Sequence, residues 1–187
     1  MEIIKTDLNG VLLIKPKVYS DARGYFLESY KADVFNLNGI KTNLVQDNIS
    51  KSVKGTIRGL HYQVGKKVQA KLCQVIYGRV LDVAVDIRFN SPTFGKHFSL
   101  ELSDQNHFQV WIPAGFAHGF SVLSEEAIFY YKCSNYYSKE DERSIRFNDP
   151  ELGIDWKVDN PLISEKDLQS KLFREIVADF YFSKDSH

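Results

Sequence analysis

The chain carries two cysteines, one methionine, two tryptophans and five prolines in 187 residues, and it carries no excess of either charge. Each scarcity narrows the reading. Cys73 and Cys133 stand 60 positions apart, outside any C-x-x-C pattern; a single disulfide between them is one reading, and two buried reduced thiols are the one expected. Lys plus Arg number 24 against 24 Asp plus Glu, so no basic field argues for nucleic acid, and any anion must be met by a local cluster. No apolar run approaches the roughly 18 residues of a membrane helix. The start, Met1-Glu-Ile-Ile-Lys5, lacks the basic and apolar regions of a secretory signal. A cytoplasmic protein with no membrane partner is expected, of a length that suits one domain over 1–187.

What is abundant is aromatic, with 13 Phe and 10 Tyr, and patterned in short runs. Strand-like segments fall at 10–16, 24–30, 44–50, 57–63, 71–76, 80–89, 98–102, 107–112, 119–123 and 128–134. Turn clusters such as Asn90-Ser-Pro92 and Ser103-Asp-Gln-Asn106 separate them. From Arg79 to Arg88 the period is two: Leu81, Val83, Val85 and Ile87 share one face, and Val80, Asp82, Ala84, Asp86 and Arg88 the other. Many short strands at this spacing predict an all-β barrel or sandwich with a few peripheral helices. Helices are expected at 31–37 and at about 164–180, the latter from a Leu168, Leu172, Ile176, Phe180 stripe, with 183–187 as a frayed tail.

The chemistry concentrates in Gly55-Thr-Ile-Arg-Gly-Leu-His-Tyr-Gln63, Lys71-Leu-Cys-Gln74 and Ile112-Pro-Ala-Gly-Phe-Ala-His-Gly119. Arg58, His61, Lys71 and His118 together bring a guanidinium, an ammonium and two imidazoles, a set suited to binding an anion, moving a proton and stabilising an enolate. Each has a plainer reading. His61 shares a strand face with Gln63 and is either a general base or a hydrogen-bonded core histidine. Lys71 is either a fixed cation for a developing oxyanion, within reach of Asp82 and Asp86, or a solvated edge lysine. Tyr131 shares a face with Phe129 and Cys133, where aromatic packing alone accounts for it. Ser164-Glu-Lys-Asp167 fits a capping box, which would occupy Asp167 at the end of its own helix. Arg23 and Glu28 form an exposed ion pair on one reading; on the other, Arg23 with Gln46 and Asn48 reads the edge of a base and binds a phosphate.

The order of the motifs carries more than any one of them. Asp21-Ala-Arg-Gly-Tyr-Phe26, Val45-Gln-Asp-Asn-Ile-Ser-Lys-Ser52, Arg58-Gly-Leu-His-Tyr-Gln63, Asp82-Val-Ala-Val-Asp86, Ser91-Pro-Thr-Phe-Gly95, Trp111 to Phe120, Tyr131-Lys132, Asn135-Tyr-Tyr-Ser138 and Gly153-Ile-Asp-Trp156 follow one another in sequence. In that order the chain, from about 10 to 167, resembles the dTDP-4-dehydrorhamnose 3,5-epimerases, cofactor-independent members of the cupin superfamily. Lys66-Lys-Val-Gln-Ala70 departs from the family's glycine-containing version of that loop.

The resemblance implies a cupin-type jelly roll that needs no cofactor. It also implies a homodimer whose N-terminal strands join the partner's sheet, and a substrate that is a dTDP-linked 4-keto-6-deoxyhexose. His61 would be the general base, oriented by Asp167; Tyr131 would return a proton from the opposite face; Lys71 would support the enolate. Arg23 and Arg58 would meet the diphosphate or nucleotide. Phe26, Glu28, Gln46, Asp47 and Asn48 would help hold the nucleotide, His118 would neighbour sugar oxygens, and Gln63, Tyr137, Glu142 and Lys166 match further binding positions. Metal-binding cupins use a His-x-His pair, a later Glu and a distant His. Here Gln63 stands in the second position and no Glu follows, so no catalytic metal is expected. Three alternatives remain at this stage: a single-centre epimerase of another nucleotide-linked 4-keto sugar, a non-catalytic binding cupin, and a metal-dependent cupin oxygenase.

Overall fold

The structure, a computed structural model, describes residues 1–183. In chain order it runs β1 (Glu2–Lys5), β2 (Leu12–Lys15), β3 (Val18–Asp21), β4 (Gly24–Leu27), α1 (Ala32–Leu37), β5 (Gln46–Val53), β6 (Ile57–Gln63), β7 (Lys71–Tyr77) and β8 (Arg79–Asp86). It continues through β9 (His97–Ser103), β10 (Gln109–Ile112), β11 (Phe116–Val122), β12 (Glu126–Cys133), β13 (Glu142–Ser144) and α2 (Glu165–Leu168). Every strand-like segment read from the sequence overlaps a strand. The unanticipated ones, β1, β3 and β13, are three or four residues long, too short for alternation to register.

Two antiparallel sheets form a cupin-type jelly roll. One has the order β1-β2-β10-β7-β12-β5, the other β13-β6-β11-β8-β9, and β3 with β4 makes a separate hairpin. The β8 alternation appears as two cores. Val80 and Ala84 face inward with Cys73, Val75, Val110, Ile112, Phe120 and Phe129, filling the space between the sheets. Leu81, Val83, Val85 and Ile87 face outward with Ile57, Leu60 and Tyr62, beneath Ile145, Phe147, Trp156 and Phe173 from the C-terminal third. A third cluster packs Phe35 of α1 and Ile40 onto Ile14, Leu72 and Trp111, on the outside of the six-stranded sheet.

Of the expected helix over 164–180, only the single turn of α2 and a 3-10 turn at Phe173–Glu175 form. Beyond α2 the chain crosses the five-stranded sheet as an extended strap. Arg146 N–H donates to Lys171, Phe89 N–H to Phe180, and Phe182 N–H to Phe89. Phe173 is buried, Ile176 and Phe180 pack on the same cluster, and Leu168 turns outward. The strap thus buries Phe173, half-buries Ile176 and Phe180, and finds backbone partners in distant segments, which outweighs the weak helix preference of its β-branched and aromatic residues. Of the expected frayed tail, 184–187 lie outside the described residues.

Candidate active site

Arg58 and His61 are three residues apart, and on a regular strand they would point to opposite faces. The β6–β11 ladder pairs His118 with His61 and Phe120 with Arg58, so Gly119 faces both Gly59 and Leu60. That extra residue is a β-bulge, and it turns Arg58 and His61 into the same cavity, about 580 Å³ in volume. The bulge requires glycine. Gly59 has φ +123°, and a Cβ there would sit 2.6 Å from the Gly119 Cα and 2.7 Å from the His118 carbonyl oxygen.

His61 is held from behind. Its Nε2 lies 2.6 Å from Asp167 Oδ1, while the Gly59 amide donates to Oδ2 at 3.5 Å. Asp167 reaches this position because Ser164 Oγ accepts its backbone N–H at 3.2 Å and starts α2. The serine half of the capping box therefore forms, while the Asp167 carboxylate leaves its own helix for His61. Burial pushes the Asp167 carboxyl upward, but the His61 contact and the Gly59 and Ser164 donors outweigh it and hold the group below the usual carboxylate range. A carboxylate on Nε2 fixes the neutral imidazole with its proton there, leaving Nδ1 as the basic nitrogen.

Tyr131 and Lys71 reach the same cavity from the opposite sheet, on β12 and β7. Burial, reinforced by the neighbouring Cys133 and Cys73 thiols, pushes the Tyr131 phenol up to about 12, so it is a proton donor throughout the neutral range. Lys71 Nζ lies 5.9 Å from the Tyr131 ring centre and makes no ion pair among the described residues. The pairing of Lys71 with Asp82 or Asp86 is not formed. Asp82 Oδ2 instead lies 2.8 Å from His118 Nε2. Asp86 is taken up by Arg88, Ser91 and Thr93. Burial lowers the His118 pKa by more than Asp82 restores, and its imidazole is neutral.

A smaller cavity of about 260 Å³ adjoins the first and shares His61, Lys71 and Tyr131 with it. Gln46, Asn48, Gln63, Tyr137 and Glu142 line it. The Tyr137 hydroxyl donates to Glu142 Oε2 at 2.9 Å, and Lys166 Nζ lies 2.5 Å from the same oxygen. Burial raises the Glu142 pKa, and these two partners more than reverse it. Gln63 is spent structurally: its amide donates to the Lys67 and Tyr136 carbonyls and accepts from Ser138 N–H.

Four anticipated residues are elsewhere. Alternation along β5 turns Asp47 to the outer face, where Lys132 and Tyr130 bind it. Arg23, Phe26 and Glu28 belong to the β3–β4 hairpin and its flank and line neither cavity. Arg23 pairs with Asp21 at 2.6 Å, so the Arg23–Glu28 pair does not form. The same β5 alternation exposes two residues that motif reading passed over. Ser52 Oγ accepts from Arg58 Nε at 3.0 Å, and Ser50 Oγ is buried in the cavity wall without a partner.

A profile of the family described as dTDP-4-dehydrorhamnose 3,5-epimerase matches residues 5–175. The chain belongs to this family. The dTDP-4-dehydrorhamnose 3,5-epimerase of Shigella flexneri is 51% identical over 182 residues, 97% of this chain and 99% of that protein. The crystal structure of dTDP-6-deoxy-D-glucose-3,5-epimerase from Legionella pneumophila, in complex with dTDP-4-keto-L-rhamnose, superposes with a TM-score of 0.94. The two are 48% identical, covering 97% of this chain and 98% of that one. A dTDP-4-dehydrorhamnose 3-epimerase from Streptomyces niveus is 37% identical over 94% of this chain and 85% of its own length. This epimerase family thus includes double- and single-centre members.

Proposed function

We propose that this protein is a dTDP-4-dehydrorhamnose 3,5-epimerase, inverting C3 and C5 of dTDP-4-dehydro-6-deoxy-glucose on the route to dTDP-L-rhamnose. The observation that carries the reading is the opposition of two proton carriers: Asp167-held His61 on one sheet, with Nδ1 free, and the protonated Tyr131 phenol on the other.

The 4-keto group acidifies the hydrogens on both flanking carbons. His61 Nδ1 removes one of them, and the electron pair moves through the C4 carbon to its oxygen as an enolate. Lys71 supplies the positive charge that this oxygen meets. Tyr131 then delivers a proton to the same carbon from the other face, which inverts it. The tyrosinate is reprotonated and His61 deprotonated by solvent, and the second carbon follows the same sequence. The cycle is redox-neutral, and acid and base are each worth about 10²–10⁴-fold. Arg58, steadied by Ser52, is assigned to the diphosphate, His118 to sugar oxygens, Gln46, Asn48, Tyr137 and Glu142 to the adjoining cavity, and Lys166, paired with Glu142, to the wall of the larger one. Incubation with the substrate, followed by NMR of the product ring, tests this. The reading expects the L-configured 4-keto sugar, and unchanged substrate would sink it.

A single-centre outcome is the second reading, favoured by the relationship to the Streptomyces niveus 3-epimerase. We further infer a homodimer. β1 and β2 complete their own sheet, so the β3–β4 hairpin, with Tyr19, Tyr25 and Phe26 exposed, is the N-terminal segment suited to a second copy. In such an assembly Arg23, Phe26 and Glu28 would complete the partner's nucleotide site.

A further inference from the structure

Beneath the catalytic cavity lies a cluster of which the proposed reaction uses only His118, at the cavity wall. Cys73 Sγ, Asp82 Oδ2 and His118 Nε2 are all buried, and these atoms lie within 4.8 Å of one another. Nε2 is 2.8 Å from Asp82 and 3.8 Å from Cys73, so a thiol and a carboxylate converge on one nitrogen whose single proton can serve only one of them. A tetrahedral zinc ion, with bonds of about 2.0–2.3 Å, separates such ligand atoms by roughly 3.3–3.7 Å. Reaching that geometry opens the His118–Asp82 pair by about half an ångström and draws Cys73 and Asp82 together by up to about an ångström.

We propose that Cys73, Asp82 and His118 form a binding site for a borderline-soft divalent cation, Zn²⁺ foremost, and that occupancy reversibly inhibits the enzyme. The donor set decides the chemistry. Thiolate and imidazole select zinc or cobalt over magnesium and calcium, and three protein ligands leave a fourth position for water. Binding expels the thiol proton to solvent and moves the imidazole proton from Nε2 to Nδ1, so a dication meets one thiolate and one carboxylate and the site closes neutral. His118 lines the catalytic cavity, which gives the ion its entrance. Inhibition follows because a bound ion takes His118 from Asp82 and sets a dication beside Lys71. That half rests on the epimerase reading; binding does not.

The test is a Co²⁺ titration of the full-length protein, competed with Zn²⁺. The expected result is one equivalent bound, with a sulfur-to-cobalt charge-transfer band in wild type and in Cys133→Ser. The band is expected to vanish in Cys73→Val, where Zn²⁺ affinity falls at least tenfold. Cys73→Ser, which keeps the side-chain shape and removes only the sulfur, supplies the same readout should the valine variant misfold. In turnover assays Zn²⁺ should inhibit wild type, a chelator should restore it, and Cys73→Val should keep its basal rate and lose the inhibition. Absence of the band in wild type, or its persistence without Cys73, overturns the site; equal Zn²⁺ inhibition of Cys73→Val overturns the inhibitory role.

Discussion

At the scale of single residues, the account depends on which nitrogen of His61 carries the proton. Asp167 settles that at 2.6 Å, and Asp167→Asn would present an amide that can donate to Nε2 and reverse the tautomer. We therefore expect Asp167→Asn to lower kcat by about 10- to 100-fold with KM little changed, and His61→Ala to lower it by about 10²–10⁴-fold. Steady-state kinetics of the two variants checks this; equal losses in KM alone would mean the pair only binds. Tyr131 makes a pH prediction. Its folded-state pKa, about 12, lies above its ordinary value of 10.0, so the fold favours the protonated phenol. Its stabilising contribution is complete below pH 10 and is lost as pH rises through about 12. Burial pushes Tyr62 up to about 12 as well, so spectrophotometric titration should find two late tyrosines in wild type and one fewer in Tyr131→Phe.

At the scale of elements, β6 is where a small change should matter most. Gly59→Ala drives a Cβ into the Gly119 backbone at a φ of +123°, and neither strand can yield without breaking the ladder. A loss of about 2–5 kcal/mol in urea denaturation is expected. Phe173→Ala, which empties the place where the strap meets Phe94 and the second core, should cost about 3–5 kcal/mol. These two elements also mark how far the sequence could be read. The strands and the two faces of β8 were legible because alternation is a local signal. The bulge that unites Arg58 with His61 depends on pairing with residues some sixty positions away. The strap read as a helix because 168, 172, 176 and 180 are spaced four apart, whereas its partners Ile145 and Phe89 are distant in sequence. Asp47 lies on the outer face by one step of the same alternation that turns Gln46 and Asn48 inward, a facing that the motif alone does not reveal. The motifs alone named His61, Lys71, Tyr131 and Asp167, while the Asp82–His118 contact needed the fold.

At the scale of the whole molecule, the sheets divide the labour: the five-stranded sheet and the segment after it bring His61, His118 and Asp167, and the six-stranded sheet brings Lys71 and Tyr131. Among the described residues, no helix is long and apolar enough to cross a membrane. The outer edge of β5 carries exposed Ile49 and Val53, a surface suited to the proposed second copy. Ile49→Lys should shift the mass measured by light scattering from dimer toward monomer, and a wild-type monomer at every concentration would refute the dimer.

The most direct test of two opposed proton carriers is solvent isotope incorporation. Proton NMR of dTDP-4-dehydro-6-deoxy-glucose turned over in deuterated buffer, without added metal, should show deuterium entering at both C3 and C5 with wild type and at neither with His61→Ala. Exchange at a single carbon would make this a single-centre epimerase, and undiminished exchange at both carbons in His61→Ala would contradict the assignment of the base.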